Sequence, residues 1–513
     1  MRTEVKLGQI DKAREDAIMV GCFEVGEKSS VPFQIQDNRL SGIVAPLLIA
    51  GDFKAKMGEA AVLYPQDEHF SKRIILAGLG KKNEVTLERV RRAYAYAGKK
   101  AKELKIKNLA VMALESEHLP VKLQPASQAM VEGIWLAQYK VDRYKTEIAD
   151  QQDALQKLTI LASRSNKIPQ IEKGVRDGEI FSQATNFTRD LANQPSNQLT
   201  PSALGQVAEK LARENQLKCQ VLSQAQIRKL GMNAFLAVAG GSEQPPKLIL
   251  LEYSPPKSKN TLALVGKGIT FDAGGLSLKS TENMLEMKGD MMGGAVVLAT
   301  IAGCAKLQLP LRLIGIIPAA ENLPSGSAQK IGDIIQSHSG KTIEVLNTDA
   351  EGRLILADAL SYSRSFEPDA IIDVATLTAA IKIALGSICA GVFSNHQGLI
   401  DSMIRAGETS GERVWPMPLW DEYRQFLDSD LADIKNVGSR WGGAILAATF
   451  LKSFVGNVPW IHVDIAGVDF KDKDLDLEKD YFYWTKGATG FGARLMLQFL
   501  KDWKRITRRA QIP

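Results

Sequence analysis

Two α/β domains, the larger C-terminal one a mixed, largely parallel sheet flanked by helices, are what this chain predicts. Three observations lead there. From about residue 180 onward, apolar runs alternate with helical patterns; polar and charged residues gather at the ends of those runs; and the first 160 or so residues carry strand-like and helix-like stretches without such clusters. A chain of 513 residues suits roughly two to four domains, and 45% hydrophobic with 24% charged residues is an ordinary globular composition with enough apolar material for a large core. The expected division is an N-terminal α/β domain over 1–165, a connecting helix over 166–192, and a larger C-terminal domain over 193–513 that carries the polar clusters.

The elements follow in order. A polar break over 163–169 precedes a long helical pattern over 171–191, which serves as the connector. Short runs rich in branched residues at 248–253, 262–265, 313–317, 343–346, 371–375 and 461–465 read as strands. Between them, 294–306 and 352–364 read as helices, the second carrying Leu356, Ala359 and Leu360 on one face. Right-handed crossovers align the strand ends along one edge. Ligands sit at the carboxyl edge of such sheets, and Lys267, Asp272, Asp349, Glu351 and Thr376 all follow strands. No internal repeat or low-complexity tract interrupts the pattern.

Composition excludes several classes. The opening Met1-Arg2-Thr3-Glu4-Val5-Lys6 lacks the apolar core of a secretion signal, and the longest apolar run, near 43–50, is far too short to cross a bilayer. A cytoplasmic protein with no membrane partner is expected. Cys22, Cys219, Cys304 and Cys389 lie far apart with no Cys-x-x-Cys pair, so neither a disulfide framework nor a thiolate zinc site is indicated. His69, His118, His338, His396 and His462 are isolated, which removes the histidine-based zinc-protease motifs. Any metal must be held mainly by oxygen. A net charge of +6 is mild for this length and implies no nucleic-acid partner by itself.

The most informative segment is Asn-Thr-Asp-Ala-Glu-Gly-Arg-Leu over 347–354, where Asp349, Glu351 and Arg353 recur at every second position. Read as extended chain, it puts all three on one side. Upstream, Val-Gly-Lys-Gly-Ile-Thr-Phe-Asp-Ala-Gly-Gly carries Lys267 and Asp272, Lys279 follows, and Asp290 stands in Met-Lys-Gly-Asp-Met-Met-Gly-Gly. Crowding Asp272, Asp290, Asp349 and Glu351 would raise their pKa values unless cations neutralised them, which argues for metal. Two ions about 3.5 to 4 Å apart both activate water and stabilise an oxyanion, and an all-oxygen acidic set suits manganese, magnesium or zinc.

Each piece has a plainer reading. Asp272 alone is a turn residue, Asp349 a helix cap, Met287 core filler. A phosphate loop around Lys267 fails because Gly268 follows the lysine. A dinucleotide fingerprint fails because Phe271 stands where the third glycine is required. Only the joint order and spacing of the four carboxylates make a site.

Together these segments resemble the leucyl (cytosol) aminopeptidase family, metal-dependent exopeptidases of the cytoplasm. Further matches fall in the expected order: Asn193-Gln194-Pro195-Ser196-Asn197, Ala375-Thr376-Leu377-Thr378, Ala432-Asp433-Ile434-Lys435-Asn436, His462-Val463-Asp464-Ile465-Ala466-Gly467 and Gly487-Ala488-Thr489-Gly490. The resemblance implies two divalent ions per subunit, Mn2+ or Zn2+, with Asp272 and Glu351 shared, Lys267 and Asp290 completing one shell, and Asp349 the other. By the same resemblance, Lys279 stabilises the oxyanion, Arg353 holds a bicarbonate that shuttles the proton, and Asn347 organises its neighbours. Met287, Thr376 and Ala379 face the first side chain, Leu377 and Ala379 grip the peptide through their backbones, and Asp290 receives the α-amine. Substrates are peptides with a free N-terminus, and a homohexamer is implied.

Two departures stand out: Ala379-Ala380 replaces the usual Gly-Ala, and Val468-Asp469-Phe470 the usual Thr-Ala-Trp. Rival readings are a two-metal phosphoesterase and an additional DNA-binding role of the N-terminal domain. The latter rests on a helix over 88–104 with Val90, Tyr94, Ala97, Ala101 and Leu104 on one stripe, Arg91, Arg92, Lys99 and Lys102 largely opposite, and a basic tail over 501–509.

Overall fold

A computed structural model of the chain describes residues 2–9, 12–24, 38–66, 71–115, 119–146, 155–471, 483 and 486–504; the basic tail beyond 504 lies outside them. The chain divides into two compact units, Met1–Gln183 with Lys473–Thr485, and Ala184–Asp472 with Lys486–Pro513. The division runs through helix Ile168–Ala192.

In the first unit, among the described residues, strands β1 (Arg2–Leu7), β2 (Ala17–Cys22), β3 (Ala60–Leu63), β4 (Ile74–Gly78), β5 (Asn108–Met112) and β6 (Lys157–Ala162) form a sheet in the order β1-β6-β5-β2-β4-β3. Every pairing is parallel except β3 with β4. Helix Leu87–Glu103 starts at a Thr86 cap that accepts from Arg89 N at 3.2 Å. It buries Val90, Tyr94, Ala97 and Ala101 as the stripe predicts, while Leu104 caps its end half-buried. The basic face is another matter. Arg91 is 2% exposed and ion-paired to Glu132 and Glu88, and Lys102 donates to the carbonyls of Gln138 and Tyr139 at the end of helix Leu123–Ala137. Helical periodicity puts Arg91 beside Tyr94, so its guanidinium turns inward where acids await it.

The second unit is built on β7 (Lys218–Leu222), β8 (Lys247–Tyr253), β9 (Thr261–Gly266), β10 (Gly268–Asp272), β11 (Arg312–Asn322), β14 (Ala370–Ala375), β15 (Ala390–Ser394), β16 (Val414–Pro416) and β18 (Trp460–Asp464). The order is β16-β15-β18-β14-β9-β11-β8-β7, with β10 also on β11. Parallel pairings dominate: β16-β15, β18-β14, β14-β9, β9-β11 and β10-β11. The antiparallel ones are β15-β18, β11-β8 and β8-β7. Both faces are covered, so β14 (Ala-Ile-Ile-Asp-Val-Ala) is buried at every position. Each of its large aliphatic side chains contributes about 1.5–3 kcal/mol by leaving water. A separate small sheet joins β12 (Ile334–Gln336), β13 (Thr342–Glu344) and β17 (Ile434–Lys435). The apolar run at 343–346 therefore belongs to this small sheet, not the main one. The stretch 281–307 is apolar and long, and 83% of its most apolar window is buried inside the fold.

Candidate metal centre

The polar residues gather where β9, β10 and β14 end. Lys267 occupies the step between β9 and β10, its N–H on Val374 O at 3.1 Å and its carbonyl receiving Gly294 N at 2.7 Å. Asp272 ends β10, opposite Asn322 at the end of β11. Beyond it the chain turns through Gly274 at φ +89°, a conformation open to glycine. Thr348 ties this loop down, donating to Gly274 O at 2.7 Å and accepting from Ser277 N at 2.8 Å. Lys279 is thereby brought back over Asp272. Asp290 precedes helix Met292–Leu307, and Glu351 opens helix Glu351–Ser363.

The 347–354 segment is thus not extended. Asp349 lies in a turn held by Asn347, whose side-chain oxygen accepts from Asp349 N at 2.8 Å, while Glu351 and Arg353 occupy the first helical turn. Ala350, not Asp349, stands at the cap position. Alternate spacing misleads here because a turn followed by a helix also projects both acids toward one point. Gly352 permits the approach: a Cβ there would fall 2.7 Å from the Lys267 side chain.

Two ammonium groups cross-link the acids. Lys267 Nζ lies 2.7 Å from Asp290 Oδ1, 2.8 Å from Glu351 Oε1 and 2.9 Å from Thr376 O. Lys279 Nζ is 2.8 Å from Asp272 Oδ2 and also contacts Asp349 Oδ1. Asp272, Asp290 and Glu351 are buried, and each offers an oxygen within 4.8 Å of the other two. Asp349 is more open and joins the cluster through Lys279. Burial, and then Glu351, push the Asp272 carboxyl up. Burial raises Asp290 well above its ordinary value despite Lys267, with Glu351 and Asp272 adding to it. Asp349 rises through burial and Asp272. Burial opposes the charge on Lys267, but Asp290, Glu351 and Asp272 outweigh it and raise its pKa; Asp272, Glu351 and Asp349 do the same for Lys279.

Arg353 is buried, donates from Nη1 to Asn436 O at 2.7 Å, and has an Nε without a partner. Burial brings it down to about 10, so it stays charged near neutrality. Thr376 donates to Asp290 Oδ1 at 2.7 Å. Met287 and Leu377 are half-buried and Ala379 exposed, with Leu377 N–H engaged by Asp464 Oδ1 at 3.1 Å. Sequence reasoning overlooked Asn322, which donates to Asp272 Oδ1 at 2.8 Å and Thr348 O at 3.0 Å. It also overlooked the bracing of Asn347 by Asn436, which donates to Asn347 O at 2.7 Å. The signal for Asn322 was weak: one polar residue closing an apolar run.

The donor set fits divalent cations. Oxygens converge, their charges repel one another, and Asp290 Oδ2 is buried with no hydrogen-bond partner, a lone pair directed at nothing the chain supplies.

Residues 186–497 match the cytosol aminopeptidase family catalytic domain, and residues 19–147 the N-terminal domain of the same family. The chain belongs to the cytosol aminopeptidase family. It is 43% identical over 502 residues to the "Probable cytosol aminopeptidase" of Nitrosococcus oceani, covering 98% of each chain. To that of Roseiflexus castenholzii it is 40% identical over 506 residues, covering 98% of this chain and 99% of the relative. Among solved structures it is similar to "Bottromycin maturation enzyme BotP in complex with Mn", with TM-score 0.83 and 32% identity over 95% of this chain and 99% of that one. A cytosol aminopeptidase-family chain matched along both domains is a metallo-aminopeptidase, a hydrolase of peptides.

Proposed function

We propose that this centre releases N-terminal residues from peptides with two divalent ions, manganese or zinc, in the manner of a leucyl aminopeptidase. The observation that carries the proposal is the buried Asp272, Asp290 and Glu351 cluster with its unpartnered Asp290 oxygen. Asp272 and Glu351 would be shared by the ions, with Lys267 and Asp290 on one and Asp349 on the other. When bound, the ions supply Lewis-acid polarisation and a more acidic water. Lys267 serves as a ligand only as the neutral amine, so loading releases its proton.

The chain's own groups do the rest. Lys279, held charged by its acids, points an ammonium at the developing oxyanion. Arg353 presents unpartnered guanidinium donors to a bicarbonate, whose oxygens accept and pass on the proton. Asp290 would also accept from the free α-amine of the peptide, which sets the exopeptidase register. Leu377 and Ala379 hold the main chain through their backbones, leaving Met287, Thr376 and Ala379 beside the first side chain. The setting is the cytoplasm, and the assembly a homohexamer.

The test is direct. Protein loaded with manganese or zinc is assayed on leucine para-nitroanilide, its N-acetyl derivative and para-nitrophenyl phosphate. Hydrolysis of the first alone is expected. Phosphate hydrolysis without amide hydrolysis would replace this reading with the phosphoesterase one.

A further inference from the structure

Asp469 is a half-buried acid of the second unit that the mechanism leaves unused. Its position follows from the path of the chain after β18. Asp464 Oδ2 accepts from Thr378 Oγ1 at 2.7 Å and Ile465 N donates to Ala375 O at 2.9 Å, fixing one end beside Thr376 and Ala379. Phe470 fixes the other end. Its ring lies so close to Gly289 that a Cβ there would fall 2.2 Å from it, which seats Phe470 on the turn Met287–Gly289. The strap 464–470 therefore spans the two places assigned to the first side chain of the substrate, and Asp469 sits on it next to Phe470.

The carboxyl is placed for a ligand rather than for the fold. Among the described residues its side chain takes a single hydrogen bond, Phe470 N to Oδ1 at 3.0 Å. Burial pushes it up to about 7, and Glu286 adds to the effect while backbone N–H groups and Lys382 oppose it. Yet Asp469 keeps part of its surface open.

We propose that Asp469 lies on the wall of the pocket for the first residue and selects a cationic side chain, lysine or arginine, at the peptide's N-terminus. The inference rests on the aminopeptidase reading and specifies its substrate class. An apolar side chain entering the pocket would cover the carboxylate with nothing to pair it, the situation that costs most for a buried charge. An ammonium or guanidinium supplies the missing counter-charge.

The metal-loaded protein is assayed on lysine, arginine, leucine and alanine para-nitroanilides, alongside Asp469→Asn and Asp469→Ala. Inhibition by free lysine and free leucine is measured on the same three proteins. For the wild type, kcat/KM for lysine exceeds that for leucine by about tenfold or more. Asp469→Asn, which keeps size and turn geometry, lowers that ratio by about tenfold while leucine turnover persists. Free lysine loses its advantage over free leucine as an inhibitor in parallel. A lysine-to-leucine ratio that is the same in all three proteins, or a wild type favouring leucine, overturns the inference and leaves the aminopeptidase reading standing. Absence of amide hydrolysis on every substrate by the loaded wild type removes that reading, and the inference with it.

Discussion

In the N-terminal unit, Arg91 lies between Glu88 and Glu132 at 2.5 Å from each. All four carboxylate oxygens there have a donor, because Gln128 Nε2 reaches Glu132 at 2.7 Å and the Tyr483 hydroxyl reaches Glu88 at 2.7 Å. In the second unit, Asp272, Asp290 and Glu351 are as deeply buried, but their oxygens approach within 4.8 Å of one another and Asp290 Oδ2 has no donor at all. Both clusters carry more acid than base. What separates them is saturation: a closed set of hydrogen bonds belongs to the fold, while an acid left unpaired in the interior calls for a partner from outside the chain.

Removing one acid from each cluster breaks the comparison most severely. Glu351→Ala takes away a shared ligand, and kcat/KM is expected to fall by at least about 10³-fold with loss of bound metal. Intact activity in that variant would refute the assignment. Glu132→Ala leaves Arg91 paired with Glu88 and is expected to cost up to about 3–5 kcal/mol of stability without altering turnover per folded molecule. Urea unfolding alongside kinetics separates the two responses. Replacing the pair together, Arg91→Met with Glu132→Leu, recovers part of that loss, since the two most deeply buried charges leave together and Glu88 keeps the Tyr483 hydroxyl.

A milder effect sharpens the distinction within the site. Arg353→Ala should keep its metal and slow turnover by about 10²-fold, a split that metal analysis and kcat resolve together. The smallest effect concerns Lys102. Burial holds its ammonium down to about 8, so between there and the ordinary lysine value the unfolded chain binds more protons than the folded one. Stability then rises with pH across that window. Lys102→Met lacks the rise, which urea midpoints at the two ends of the window would reveal.

The fold was legible wherever burial imposes a simple period. The fully buried β14 and the stripe of helix Leu87–Glu103 stand out as apolar runs and helical spacing. Lys267, Asp272, Asp290 and Glu351 could be picked out only by their joint order and spacing, since each alone has a plain structural reading, and the fold brings the four together. Local conformation was harder. The alternation of Asp349, Glu351 and Arg353 looks extended, yet Gly352 lets a helix begin against Lys267, and spacing cannot tell those cases apart. Arg91 shows the same limit: its inward turn depends on Glu132, which lies on another helix. Asn322 meets Asp272 only through the β10 and β11 register, information a linear reading does not hold.

The central claim is that the acids ending β10, preceding helix Met292–Leu307 and opening helix Glu351–Ser363 form a cation site. Anomalous diffraction at the manganese edge, on crystals of the metal-loaded protein, tests it most directly. The account predicts strong peaks bounded by Asp272, Asp290 and Glu351, with a second ion reached by Asp349. Manganese bound only elsewhere, with those carboxylates still joined to Lys267 and Lys279, would contradict it.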